Sequence, residues 1–71
     1  MGKAIKVNEI KAELARKEMT QGELASAIGL SQSGLWKKMT GTTEFTLNEI
    51  RNIRDVLSLD NKQIVEIFLS Q

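Results

Sequence analysis

The sequence predicts an all-α protein of five helices forming one domain, 1–71. Three observations carry this. Leu, Ile, Ala, Lys and Glu dominate a chain of 71 residues without proline. No stretch keeps the period-two alternation of a half-buried strand. Helix-start punctuation, a capping residue framed by apolar neighbours, recurs along the chain.

The elements follow in order. Asn8, with Val7 before it, is the loosest start and predicts a first helix over 8–17 with Ile10 and Leu14 on its apolar side. Met19-Thr20-Gln21-Gly22-Glu23-Leu24 combines a capping box (Thr20 with Glu23) and a hydrophobic staple (Met19 with Leu24), and opens a second helix over 20–27 with the stripe Leu24, Ala25 and Ile28. Leu30-Ser31-Gln32-Ser33-Gly34-Leu35 has the cap and the staple, with Gly34 in place of the box carboxylate. It opens a third helix over 31–40 held by Leu35 and Met39. Phe45-Thr46-Leu47-Asn48-Glu49-Ile50 satisfies both rules and starts 46–57, with Leu47, Ile50, Ile53 and Leu57 as its stripe. Leu59-Asp60-Asn61-Lys62-Gln63-Ile64 does the same for 60–69. Gly29 and Gly41 stand just past the second and third helices, where a left-handed residue ends a helix without a Cβ penalty.

Composition narrows the function. There is no cysteine and no histidine, which removes disulfides, thiolate chemistry, the usual zinc ligand sets and imidazole catalysis. Without paired carboxylates or a glycine-rich phosphate loop, no catalytic constellation is expected, and no cofactor, metal or small-molecule ligand. No apolar run is long enough to span a bilayer, and Met1 to Lys6 is too short in apolar length for a secretory signal. The expected location is the cytoplasm, away from any membrane. Net charge is only +1, but it is unevenly spread: residues 1–40 carry seven Lys/Arg against four Asp/Glu, and 41–71 carry three against five. Phosphate contacts, if made, belong to the first half.

The second and third helices are joined by Ile28-Gly29-Leu30-Ser31, a tight turn with the helix-turn-helix spacing. Small Ala25 allows close approach; Ile28, Leu30 and Leu35 fix the angle; the second helix of the pair is free to enter a major groove. At about 100° per residue, Gln32, Ser33, Trp36, Lys37 and Thr40 share a face opposite Leu35 and Met39. A mix of amide, hydroxyl and cation suits a groove better than a core.

With these residues in view, the stretch 20–41 resembles the Cro/repressor-type, lambda repressor-like helix-turn-helix family of bacterial and phage regulators. Gln32-Ser33-Gly34 is similar to the opening of that family's recognition helix. The resemblance implies a compact five-helix fold covering most of the chain, with 42–71 matching in pattern only. It also implies roles. Gln32 reads an adenine by a bidentate amide contact. Gln21 binds a phosphate and braces Gln32. Ser31 and Ser33 lie at the opening of the reading helix, Ser33 making a shorter base-edge contact. Thr40, with the amides and hydroxyls of Thr42 and Thr43, meets phosphate. Lys37 reaches a guanine edge or a phosphate. Lys38 departs from the family pattern, which places an apolar residue there, so the last turn is expected to pack differently. Gly34 implies close approach to DNA or to the neighbouring helix.

Blander readings stand beside these. Gln21 and Gln32 are also ordinary helix starters. Trp36 has open roles: packing against a thymine methyl or sugar, capping the edge of the core, or joining a protein interface, with DNA contact and structural packing in equal standing. Lys38 points away from the DNA face and reads as a solvated charge. Ile64, Ile67 and Phe68 make one stripe on the last helix while Val65 and Leu69 add a second, more apolar surface than one core contact needs. This favours a homodimer through Val65, Phe68 and Leu69, formed in solution or on a palindromic double-stranded operator. The leading expectation is a repressor-like or Cro-like transcription regulator. The alternative is a protein-interaction module, an anti-repressor or antitoxin on the same fold.

Overall fold

Thr20, Ser31, Thr46 and Asp60 each accept a hydrogen bond from the backbone N–H three residues on, at 2.8–3.1 Å. In three of the four the partner side chain returns the bond: Glu23, Glu49 and Gln63 accept from the N–H of Thr20, Thr46 and Asp60. These caps set four of five helix starts. The computed structural model describes residues 5–69, and among them are α1 (Val7–Arg16), α2 (Gln21–Ala27), α3 (Gln32–Met39), α4 (Leu47–Leu57) and α5 (Asn61–Ile64), with no strand.

The exits are equally regular. Gly29 and Gly41 take φ of +80° and +87°, and Glu18 and Ser58 take +53° and +54°. After α2, the Leu30 N–H donates to the Ala25 carbonyl and the Gly29 N–H to that of Ser26, the paired bonds of a Schellman stop. The same pair closes α1 through Met19 to Leu14 and Glu18 to Ala15, and α3 through Thr42 to Lys37 and Gly41 to Lys38. Four elements therefore end on a left-handed residue, and two of those residues carry a Cβ, a conformation that costs a side-chain-bearing residue about 1–2 kcal/mol.

The core is one cluster built by α1 to α4 and the segment after α5: Ile10 and Leu14, Leu24 and Ala25, Leu35 and Met39, Ile53 and Leu57, and Ile67, with Ile28 and Leu59 at its edges and Ile64 of α5 packed against it. Helix α2 packs against both α3 and α4.

Three expectations need correction. The first helix starts at Val7, one residue before Asn8, and its N-cap Lys6 makes no side-chain cap bond. The start is fixed from far away instead, because the Lys6 N–H donates to the carbonyl of Ile67 at 3.1 Å. Leu47 is not part of the buried stripe: it is 63 % exposed, Ile50 is half-buried, and only Ile53 and Leu57, from the later turns of α4, enter the core. The final helix is not α-helical to its end; Val65–Leu69 is a π-helical segment continuing from α5.

Lys38 is oriented as expected but is not solvated. Its ammonium lies 2.9 Å from Glu49 Oε1 and donates to the Glu44 carbonyl at 3.0 Å, and both side chains of the pair are only 16 % exposed. A cation thus fills the place of the missing apolar residue by tying α3 to the cap of α4. Burial pushes the Glu49 pKa up, but the Thr46 N–H and the Lys38 ammonium outweigh it, and the net shift is downward from 4.5. A depressed carboxylate stabilises the fold above its ordinary value, and that contribution is lost as pH falls through the lowered one. Glu49→Gln is expected to cost about 1 kcal/mol near neutrality, the upper end for pairs near a surface. It should also flatten the acid limb of stability. Denaturant unfolding of both proteins over an acid pH series checks this; parallel limbs would contradict it.

Candidate nucleic-acid interface

Helix α3 is fastened by Leu35 and Met39, 1 % and 0 % exposed, with Lys38 turned toward α4, so the opposite side of the helix faces outward. Ser31, Gln32, Ser33, Trp36, Lys37 and Thr40 are all exposed. The predicted face therefore exists as one surface. It divides into an opening end and a closing end with different hydrogen-bonding states.

At the opening end, Gln21, Gln32, Ser33 and Trp36 line one shallow notch where the N-termini of α2 and α3 meet. Gln21 is half-buried, and among the described residues the Gln21 and Gln32 side chains make no hydrogen bond to each other. What backs Gln32 is Gly22, whose hydrogen-only side leaves the Gln32 Oε1 3.4 Å from where a Cβ would stand. Gly34 does not serve close approach to α2: a Cβ there would meet only Ser31 Oγ, at 3.1 Å. Ser31 caps α3 with a lone pair, accepting from the Gly34 N–H, so its hydroxyl proton stays free to donate outward.

The closing end is more committed. The Thr40 hydroxyl donates to the Trp36 carbonyl at 3.0 Å and lies 3.4 Å from the Thr42 hydroxyl. A hydroxyl has one proton, so Thr40 has none for a phosphate while that bond holds. The backbone amides of Thr42 and Thr43 both donate to the Lys37 carbonyl, at 2.9 and 3.2 Å. The expectation that these amides meet phosphate is thereby corrected; with the Thr40 proton given to Trp36, Thr42 is the donor of the hydroxyl pair, and what this turn leaves exposed is the hydroxyl of Thr43. Lys37 is exposed, and among the described residues its ammonium forms no ion pair.

Two charged residues were not singled out in the sequence. Lys11 of α1 holds its ammonium 5.9 Å from the centre of the Trp36 ring, which brings a further cation beside the outward face. Nothing local signals this, because it joins helices that are not neighbours in sequence. Glu13 is buried, paired with Arg16 and accepting from Gln63 Nε2 at 3.3 Å. It is a structural tie between α1 and α5 on the core side.

The apolar residues expected at an interface between copies separate by environment. Val65 and Leu69 are 52 % and 62 % exposed. Phe68 is half-buried, with its ring edge-on to Phe45 at 5.3 Å, so part of its surface is already used within the chain.

No family of known proteins, no curated protein and no solved structure matches this chain.

Proposed function

We propose that this chain is a sequence-specific double-stranded DNA-binding regulator of the lambda repressor-like helix-turn-helix type, with α3 as the helix that enters the major groove. The observation that carries the proposal is the two-sidedness of α3. Its apolar side chains are fully buried, while an unbroken outward face presents amide, hydroxyl, indole and ammonium groups. Major-groove edges offer the matching donors, acceptors and thymine methyls. Gln32 reads a base, Ser33 and Lys37 flank it, and Gln21 with the exposed hydroxyls of Ser31 and Thr43 meets the backbone. One eight-residue helix covers too few base pairs for strong selectivity. The working unit is therefore a homodimer on a palindrome, with half-sites about 34 Å apart, and Val65 and Leu69 supply apolar surface for it.

Selection of bound sequences from a random duplex pool, followed by affinity measurements over a salt series, tests the proposal. The expected result is an enriched palindrome whose binding weakens as salt rises, because phosphate contacts release counterions. No enriched sequence together with salt-indifferent binding would overturn it in favour of a protein-binding module, with which the net charge of only +1 is compatible. Gln21→Ala is expected to weaken selected and random duplexes alike, by about 1 kcal/mol. A loss confined to the selected site would assign Gln21 to base reading.

A further inference from the structure

We propose that Trp36 is a thymine-reading residue, its indole receiving the C5-methyl of a thymine beside the base that Gln32 contacts, with Lys11 as the positioning residue that holds the ring. The proposal rests on the DNA-binding role given above.

Trp36 does not belong to the core. It is 46 % exposed, while Leu35 before it and Met39 one turn on are at 1 % and 0 %. Nor is it isolated on the surface, because it walls the notch whose other sides are Gln21, Gln32 and Ser33. Those three offer only amide and hydroxyl groups at their tips, so the indole is the apolar wall of that notch. On the major-groove edges of the base pairs the thymine C5-methyl is the one methyl group, standing among donors, acceptors and the much smaller cytosine C5–H. An apolar wall next to an amide therefore fits a thymine adjoining the base read by Gln32. The Lys11 ammonium stands over the ring at 5.9 Å, a cation–π distance. A cation on the ring restrains the large side chain against swinging out of the notch, and sequence-level reading needs such restraint.

The test starts from the sequence that selection delivers. Each thymine of the half-site is replaced singly by deoxyuridine, which removes the methyl and leaves the hydrogen-bonding edge intact. Wild-type protein is expected to lose about four-fold in affinity at one such position, the worth of one buried methyl group. Trp36→Ala should bind the thymine and uracil forms equally, and Trp36→Phe should retain part of the discrimination. Because Trp36 is the sole tryptophan, its fluorescence reports the ring directly. Lys11→Leu is expected to increase acrylamide quenching and shrink the thymine-to-uracil ratio, and Lys11→Arg should restore both. A selected site in which no uracil substitution matters would overturn the proposal, as would Trp36→Ala that keeps the full ratio. A pool that yields no site at all would fell the DNA-binding role itself, a visibly different outcome.

Discussion

Truncating Leu24 to alanine is expected to lower the unfolding free energy by about 2–5 kcal/mol, the range for deleting a fully buried leucine and leaving part of the cavity open. Leu24 is 0 % exposed and stands on α2, the helix that packs against both α3 and α4, so the hole opens at the junction of three elements. A domain of 71 residues has a total stability of only about 4–11 kcal/mol at ordinary values per residue. The substitution thus removes a large share of it, and the melting temperature should fall by at least roughly 8 °C. Thermal unfolding followed by circular dichroism measures this. A loss below about 1 kcal/mol would mean that α2 does not sit in the core as described.

Gln32→Ala should leave that melting curve nearly unchanged, because the side chain is exposed and lies outside the core cluster. Its effect belongs to binding: a loss of about 1–3 kcal/mol on the selected site, with relaxed preference at a single base pair. Random duplexes should be bound almost as before. Competition titrations with each base pair varied in turn separate the two components. If specific binding survives the change intact, the opening end of α3 is not the reading head, and the closing end around Lys37 becomes the place to look.

The contrast between these two side chains also explains what was legible in the sequence. Caps are local: Thr20, Ser31, Thr46 and Asp60 bond within three residues, so their pattern can be read from adjacent letters, and all four helix starts stand where that pattern puts them. The outward face of α3 is legible for the same reason, since one helix period relates Gln32, Ser33, Trp36 and Lys37 to the buried Leu35 and Met39. Start points held by distant partners are not legible. Asn8 looked like a cap, but α1 is pinned through Lys6 to Ile67. Lys38 resembled a free surface charge until Glu49 came to it from another helix, and Lys11 meets Trp36 only across the fold. Leu47 had stripe spacing, but spacing does not say where the core stops. The Thr42 amide is a local matter instead. With Gly41 as the stop of α3, the Schellman geometry assigns that N–H to the Lys37 carbonyl, which the sequence already implies and which leaves it no proton for phosphate.

Gln63 has a consequence for how the chain assembles. Its amide oxygen caps α5 while its amide nitrogen grips Glu13, fifty positions away. Helices α2, α3 and α4 can meet through short connections, but this clasp between the outermost helices requires the chain to close on itself like a ring. Closing a loop of that length is an entropic cost met before its contacts form. Such end-to-end contacts raise the mean sequence separation of an otherwise locally connected bundle, the property with which slower folding correlates.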